Sequence, residues 1–576
     1  AEGYMKNISL ILGASALSFA AIASANSGES VAAKNEASET AKSSVDADLV
    51  QRAGAPLFEG LGDYSRSVTT SSEGAQRYFN QGMVLAFGFN HAESIRSFRA
   101  AQKLDPQCAM CFWGEALATG PNINVTSKGK AVMSDEDRRA AFKAINRALA
   151  LKDNATPLEQ ALIEAQAKRY NGDPATSREP LDLAYARALG KVGEAYPEDD
   201  DTAAMYAEAL MNTMPWDYWS ETGDPKPETK NVIAALERII ARSPKHPLAL
   251  HLYIHAIEAS SEPGRAEDEA DALANLVPAS GHLVHMPAHI YWRVGRYDDA
   301  ATANIRAAAV DEEYIASCNA QGFYPALYYP HNIHFLWAAT SMAGQSKMAL
   351  DAARKVAENV RLEQIEQFPT VEFFKTIPVL TLTQFGKWND IMAEPAPPEN
   401  LDYSNAIWHY ARGIAFANLG DSAGAQAERA KLAAVKDTVQ IRFLDNADYP
   451  ASVLLNIADD LLQGEIALKS GNAPLAVEHY ERAVTKQDTL PYMEPPFWYY
   501  PSRQSLGHAL MEAGDFAKAE AVYRRDLKDY PHNGWSMSGL AAALTAQGKT
   551  KEAQEAKAML NRIWSKADVS LNGSRI

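Results

Sequence analysis

From Glu73 onward the apolar residues recur at every third and fourth position, alanine is abundant and runs of β-branched residues are scarce. That pattern predicts helices almost throughout. The helices also share a repeating punctuation. "GRYDDA" (Gly295 to Ala300), "GNAPLAVEHYERAV" (Gly471 to Val484), "GDFAKAEAVYRRDL" (Gly514 to Leu527) and "GKTKEA" (Gly548 to Ala553) each put a glycine at a helix end and an alanine five residues later. An aromatic often follows, then a closing proline. "AQRYFNQGMVLAFGFNHAESIRSFRAAQKLDP" (Ala75 to Pro106) gives nearly the whole unit. One helix pair cannot bury its apolar faces alone, so such units stack on one another.

The unit resembles the tetratricopeptide repeat, a helix–turn–helix of about 34 residues. The resemblance runs from about Glu73 to Ala567, with interrupted units at Pro121 to Glu136, Trp216 to Lys230 and Phe323 to Pro330. It implies an all-α fold, a right-handed superhelical solenoid. It says little about function, because such arrays carry many tasks. "HMPAHIY", "YYPHNIHF" and "LPYMEPPFWYYPSRQ" also look like a group of long exported bacterial repeat proteins, a likeness that carries no activity across. The proline-rich "AEPAPPENLDY" (Ala393 to Tyr403) suggests a break at 393–402, between an array over 73–392 and another over 403–567, with a tail at 568–576. A long loop within one array is the alternative.

Ahead of the repeats the pattern changes. Read from Met5, Lys6 is a short positive region, Ile8 to Ile22 is apolar and Ala23 to Ala25 is a small-x-small cleavage signal. Residues 1–25 therefore read as a secretory signal peptide. Residues 26–72 are rich in Ser, Ala, Glu, Lys and Gly and read as a flexible leader. The expected location is outside the cytoplasm, the periplasm first and the extracellular medium second. No later segment is long and apolar enough to span a membrane.

Composition narrows the partners. The net charge of −17 opposes nucleic acid and anionic membrane surfaces and is compatible with cationic ligands. The chain of 576 residues is too long for one globular core, and its three cysteines exclude a disulfide framework.

The candidate chemistry lies in the histidines. Eight of the 13 fall between His246 and His334. His251 and His285 are 34 residues apart, as are His255 and His289. Across the next unit, which carries an insertion, His282 to His331 and His285 to His334 are each 49 apart. The same slots on the first helix of the unit thus hold histidine in successive repeats, and in the resembled family those slots face the concave groove. Residues four apart share a helix face, and imidazoles reaching across neighbouring helices can share an ion at about 2.0–2.1 Å. His251, His255, His282, His285, His289, His331 and His334 are therefore the candidate ligands of a divalent transition metal, copper or zinc. Glu208 and Glu258 are candidate acidic partners, and Tyr291, Trp292 and Arg293 are expected near the same groove. Pro287 inside "HLVHMPAHIY" means that the helix is either kinked or starts late; a late start would take His282 and His285 off the shared face.

Cys108 and Cys111, at the start of a first helix, read as a redox pair, a soft metal pair, a local disulfide or two buried apolar residues. No histidine follows Cys111, which excludes a c-type haem attachment. There is no G-x-S-x-G, no phosphate-binding glycine loop and no H-E-x-x-H, so neither a nucleotide cofactor nor a recognisable catalytic motif is expected. "PWDYW" (Pro215 to Trp219) and "PPFWYYP" (Pro495 to Pro501) read as packed loops, the first also as a lid on the groove. The leading expectation is an exported repeat protein whose histidine-lined groove binds copper or zinc. The alternatives are a metal-free scaffold for an extended peptide and a metal-dependent enzyme of unknown substrate.

Overall fold

The computed structural model describes residues 46–576 except 128, 221, 319–323 and 572. The signal-peptide reading of 1–25 and the leader up to residue 45 lie outside the described residues. The chain divides into two compact units, 1–56 and 57–576. In the first, residues 46–53 are helical. The second carries the repeats.

Within 57–576 the fold is an all-α solenoid in which successive helices pack in pairs. Glu73–Phe87 packs on His91–Leu104, Asp402–Asn418 on Ser422–Val435, and Ala451–Lys469 on Ala473–Gln487. Helices begin where a short polar side chain accepts a free backbone N–H, as Ser72, Asn90, Asn472 and Asn533 do. The recurring glycine ends them. Gly295 has φ +80°, the left-handed conformation that closes a helix C-terminus without a Cβ penalty.

Small residues let the pairs approach closely. Phe98 lies between Gly82 and Gly114, where an added Cβ would come within 2.8 and 2.2 Å of its ring. Tyr523 lies in the same way between Gly507 and Gly539, at 2.4 and 2.3 Å. Among the described residues the paired strands are two residues each, Thr126–Ser127 and Lys130–Ala131, inside the interruption expected at 121–136. No helix of the described residues is long and apolar enough to cross a membrane.

Residues 57–72, expected to be a flexible leader, are docked on the array. Arg66 pairs with Asp199 and Asp201 at 2.9 and 2.7 Å. The Thr69 hydroxyl donates to Glu159 at 2.6 Å, and the Phe58 amide to Gln81 at 2.8 Å. The segment has few apolar side chains, so composition hides it; polar groups of the array satisfy its backbone instead. Across 393–402 the array continues, because Asp402–Asn418 packs on Pro369–Thr376 and Ile377–Gln384.

The array also closes on its own middle repeats. The Trp535 and Trp564 indoles donate to the carbonyls of Ser341 (3.0 Å) and Met342 (3.2 Å), and the Ser346 amide donates to Asp568 (2.7 Å). From the other end, the Ala279 amide donates to the Gly60 carbonyl at 2.9 Å. The tail at 568–576 folds into the C-terminal repeats, where Arg575 meets Glu465 at 2.5 Å and the Ser574 hydroxyl donates to the Gln504 carbonyl at 2.7 Å.

Candidate metal centre

His251 and His255 lie one turn apart on Pro247–Ile257. In the next repeat Gly281–His285 and Pro287–Val294 meet at Met286, whose φ and ψ of −51° and −38° are helical. The Met286 amide still donates to the His282 carbonyl at 3.0 Å. The helix thus starts at Gly281, and Pro287 interrupts its bonding without resetting it, so His282, His285 and His289 remain on one side. His331 lies in the first turn of Tyr329–Met342.

Six imidazoles come together. Ring centroids are 4.8 Å apart for His251–His255, 5.0 Å for His251–His282, 4.7 Å for His285–His289 and 4.8 Å for His285–His331. They fall into two trios, His251/His255/His282 and His285/His289/His331, each offering three nitrogens within 4.8 Å of one another. The trios adjoin, with His255–His289 at 5.8 Å and His282–His285 at 5.9 Å. Ligand nitrogens on a tetrahedral ion lie about 3.3 Å apart, so each trio needs only a small contraction to share one.

The outer hydrogen bonds fix which nitrogen is offered. His251 Nδ1 donates to the Phe87 carbonyl at 2.6 Å. His285 Nδ1 donates to Asn304 Oδ1 at 2.6 Å, and Asn304 is oriented by its own donation to the Ala300 carbonyl at 2.8 Å. Glu258 takes two rings at once, His255 Nδ1 on Oε1 at 2.7 Å and His289 Nδ1 on Oε2 at 2.6 Å. Four rings are thereby held with Nε2 turned to the interior, the arrangement that orients histidine ligands in metal proteins. The Nε2 atoms of His251 and His255, and both ring nitrogens of His282, are buried with no hydrogen-bond partner. His285 and His289 face each other Nε2 to Nε2 at 2.8 Å, so one proton lies between them. Glu258, His289 and Glu494 also converge, but there the carboxylates hold Nδ1 of His289, with Glu494 at 3.2 Å, and act as outer partners.

Burial sets the charges. It drives the imidazoles of His251, His282, His285 and His331 well below their usual pKa, assisted by neighbouring rings, and keeps them neutral. His289 is the exception: burial opposes its charge, yet Glu258 and Glu494 raise it to about 10. Burial alone would raise the Glu258 carboxyl, but His289 and the His255 hydrogen bond take it well below the ordinary range. Burial, together with the nearby Glu258 charge, raises Glu494.

The expectation of an open concave groove is corrected. His251, His255, His282, His285 and His289 are no more than 5% exposed. Phe89 stacks on His282 at 5.3 Å and touches His251 at 4.5 Å. Trp216 sets an edge against His255 at 5.2 Å, Tyr328 meets His282 at 4.8 Å, and Phe335 packs on His285 and His289. Phe89 and Trp216 have φ of +57° and +63°, a backbone state costing such residues about 1–2 kcal/mol and found where the surroundings dictate it. From the far end of the array, the Tyr492 hydroxyl donates to Glu258 at 3.3 Å and to Glu494. Closure of the array on its middle repeats covers what an open solenoid would expose.

Other expected residues fall elsewhere. His334 stacks on Trp337 at 5.0 Å and against Phe373 and Phe374, and burial lowers its pKa to about 3. Ala338 stands one turn after it, where the other repeats carry the second histidine of the pair. Glu208 joins none of the convergent groups among the described residues; its charge faces Arg169, and burial raises it to about 7. Tyr291 turns to Asp271 at 2.6 Å and carries Arg296 over its ring. Trp292 packs on Phe335 and Tyr297. Arg293 donates to the Glu258 carbonyl, bracing the shared carboxylate's backbone. Cys108 and Cys111 are joined as a buried local disulfide. Asn304, Glu494, Tyr492 and Phe89 escaped the sequence reading; only Asn304, a buried amide in an alanine-rich helix, left a trace there.

Models of the tetratricopeptide repeat match residues 75–108 and 510–568. The chain carries tetratricopeptide repeats. Such repeats imply a protein-binding scaffold. No curated protein matches the sequence. Solved structures similar to the chain include the human IFIT1 dimer with m7Gppp-AAAA, at 14% identity over 86% of this chain and 91% of that one, TM-score 0.31. The P58(IPK) TPR domain matches at 13% identity over 77% and 98%, TM-score 0.19. Naa15/Naa10 bound to HypK-THB matches at 13% identity over 85% and 70%, TM-score 0.22. At such TM-scores these ligands say nothing about this repeat protein.

Proposed function

We propose that this repeat protein is exported and that its buried histidine chamber binds a divalent transition metal, copper or zinc. One observation carries the reading: four imidazoles are tied through Nδ1 to an acceptor, leaving Nε2 atoms directed at one another, while His282 lies buried with both nitrogens unpartnered. Leaving buried polar atoms unsatisfied is costly, and an ion would satisfy several at once. Imidazole without thiolate suits zinc and copper, and His289, which its carboxylates keep charged, gives up a proton on binding. Export rests on the sequence of residues 1–25. The test is metal analysis of the purified chain beside His285→Ala plus His289→Ala. The expected result is bound zinc or copper in the wild type and a marked loss in the double variant; a chain that purifies metal-free and takes up neither ion abandons the reading.

The C-terminal repeats support a second role. Arg575 and Ser574 bond to Glu465 and Gln504 of these repeats, and with Ile576 they line a cavity beside Tyr480 and Tyr499, so this part of the array holds a segment of chain, here its own. That agrees with a peptide-binding surface on these repeats.

A further inference from the structure

We infer that the chamber is built for two ions, one in each trio, side by side; the inference rests on the metal-binding reading above. The repeat itself supplies the argument. Each trio takes an i, i+4 pair from one first helix and one histidine from the start of the next: His251 and His255 with His282, then His285 and His289 with His331. The second set is the first carried forward one unit, with separations of 34, 34 and 49 residues, the last lengthened by the insertion. Stacking thus builds the same constellation twice, and no histidine is shared between the two. The series ends after two because Ala338 stands where a third pair would need its second histidine.

The surroundings agree. Glu258 lies between the sites, holding His255 of one and His289 of the other, and Glu494 adds a second buried carboxylate at 3.2 Å from His289. Two dications side by side repel each other, and these two carboxylates offset part of that. Three nitrogens per ion also leave a fourth position open on each.

The test uses the full chain, stripped by chelator and reloaded with Zn²⁺ alone or Cu²⁺ alone. The expected content is two ions per chain, falling to one in His282→Gln and to one in His331→Gln, with circular dichroism confirming that both variants fold. Electron paramagnetic resonance of the copper-loaded wild type needs no variant: neighbouring Cu²⁺ ions give a half-field transition, which is expected to vanish in either variant. One ion per chain, with both variants losing it, overturns the paired site and leaves the metal reading standing. Two ions without a half-field transition overturn their adjacency. No bound ion overturns both readings.

Discussion

The decisive side chain is one carboxylate. Glu258 is the common acceptor for a ring in each trio, and glutamine in its place offers one oxygen where two are used. Glu258→Gln is expected to weaken zinc or copper binding by about 10–100-fold, the usual cost of losing an outer partner. His334→Leu is expected to leave metal content at the wild-type level, because His334 packs among Trp337, Phe373 and Phe374. Competition against a chromophoric chelator checks both, and equal affinity in the wild type and Glu258→Gln removes the role assigned to Glu258. His334 holds the slot of His251 and His285, but Ala338 follows it where they have a second histidine, and its ring packs against an apolar wall of Trp337, Phe373 and Phe374.

Among the elements, the solenoid depends on glycines as much as on its apolar faces. Phe98 packs against the backbone at Gly114, and a Cβ there would lie 2.2 Å from the ring. Gly114→Ala gains in helix propensity, since alanine is favoured over glycine by about 1 kcal/mol, but overpacking costs about 1–3 kcal/mol. The clash wins because Phe98 is fully buried and has nowhere to move. A lowered urea midpoint is the expected result; an unchanged or raised one means that the helices slide apart freely. The same scale explains Pro287. Its missing donor breaks one rung of the helix, yet helical dihedrals at Met286 carry the face through, so His282 stays with its neighbours.

For the molecule as a whole, closure is the property that matters, and the tail takes part in it. Burial alone would raise the Glu465 carboxyl, but Arg575 beside it brings the pKa down to about 2. The folded value lies below the ordinary one near 4.3. The unfolded chain therefore takes up the proton first, and this stabilisation is complete above about pH 4.3 and lost as the pH falls toward 2. Arg575→Met leaves the buried Glu465 carboxylate to Tyr480, Asn418 and the more distant Lys469 and is expected to cost about 3 kcal/mol at neutral pH. It is also expected to flatten the dependence of stability on pH in that window. Urea unfolding at pH 7 and pH 3 measures both, and parallel losses in the wild type and the variant at acid pH mean that another group carries the dependence.

The sequence determined the helices, their pairing into repeats and the register of the histidines, because a two-helix unit reused at a fixed period returns the same slot to the same face. From that alone seven candidate histidines could be named, six of which come together. The tertiary structure decided what the period cannot encode. The cover of Phe89 and Trp216, and the arrival of Tyr492 and Glu494 more than two hundred residues along the chain, come from the array closing on itself. The exclusion of His334 and the division of six rings into two trios depend on which side chain points where after packing. Periodicity fixes local direction, and only the summed small rotations between repeats bring distant residues together.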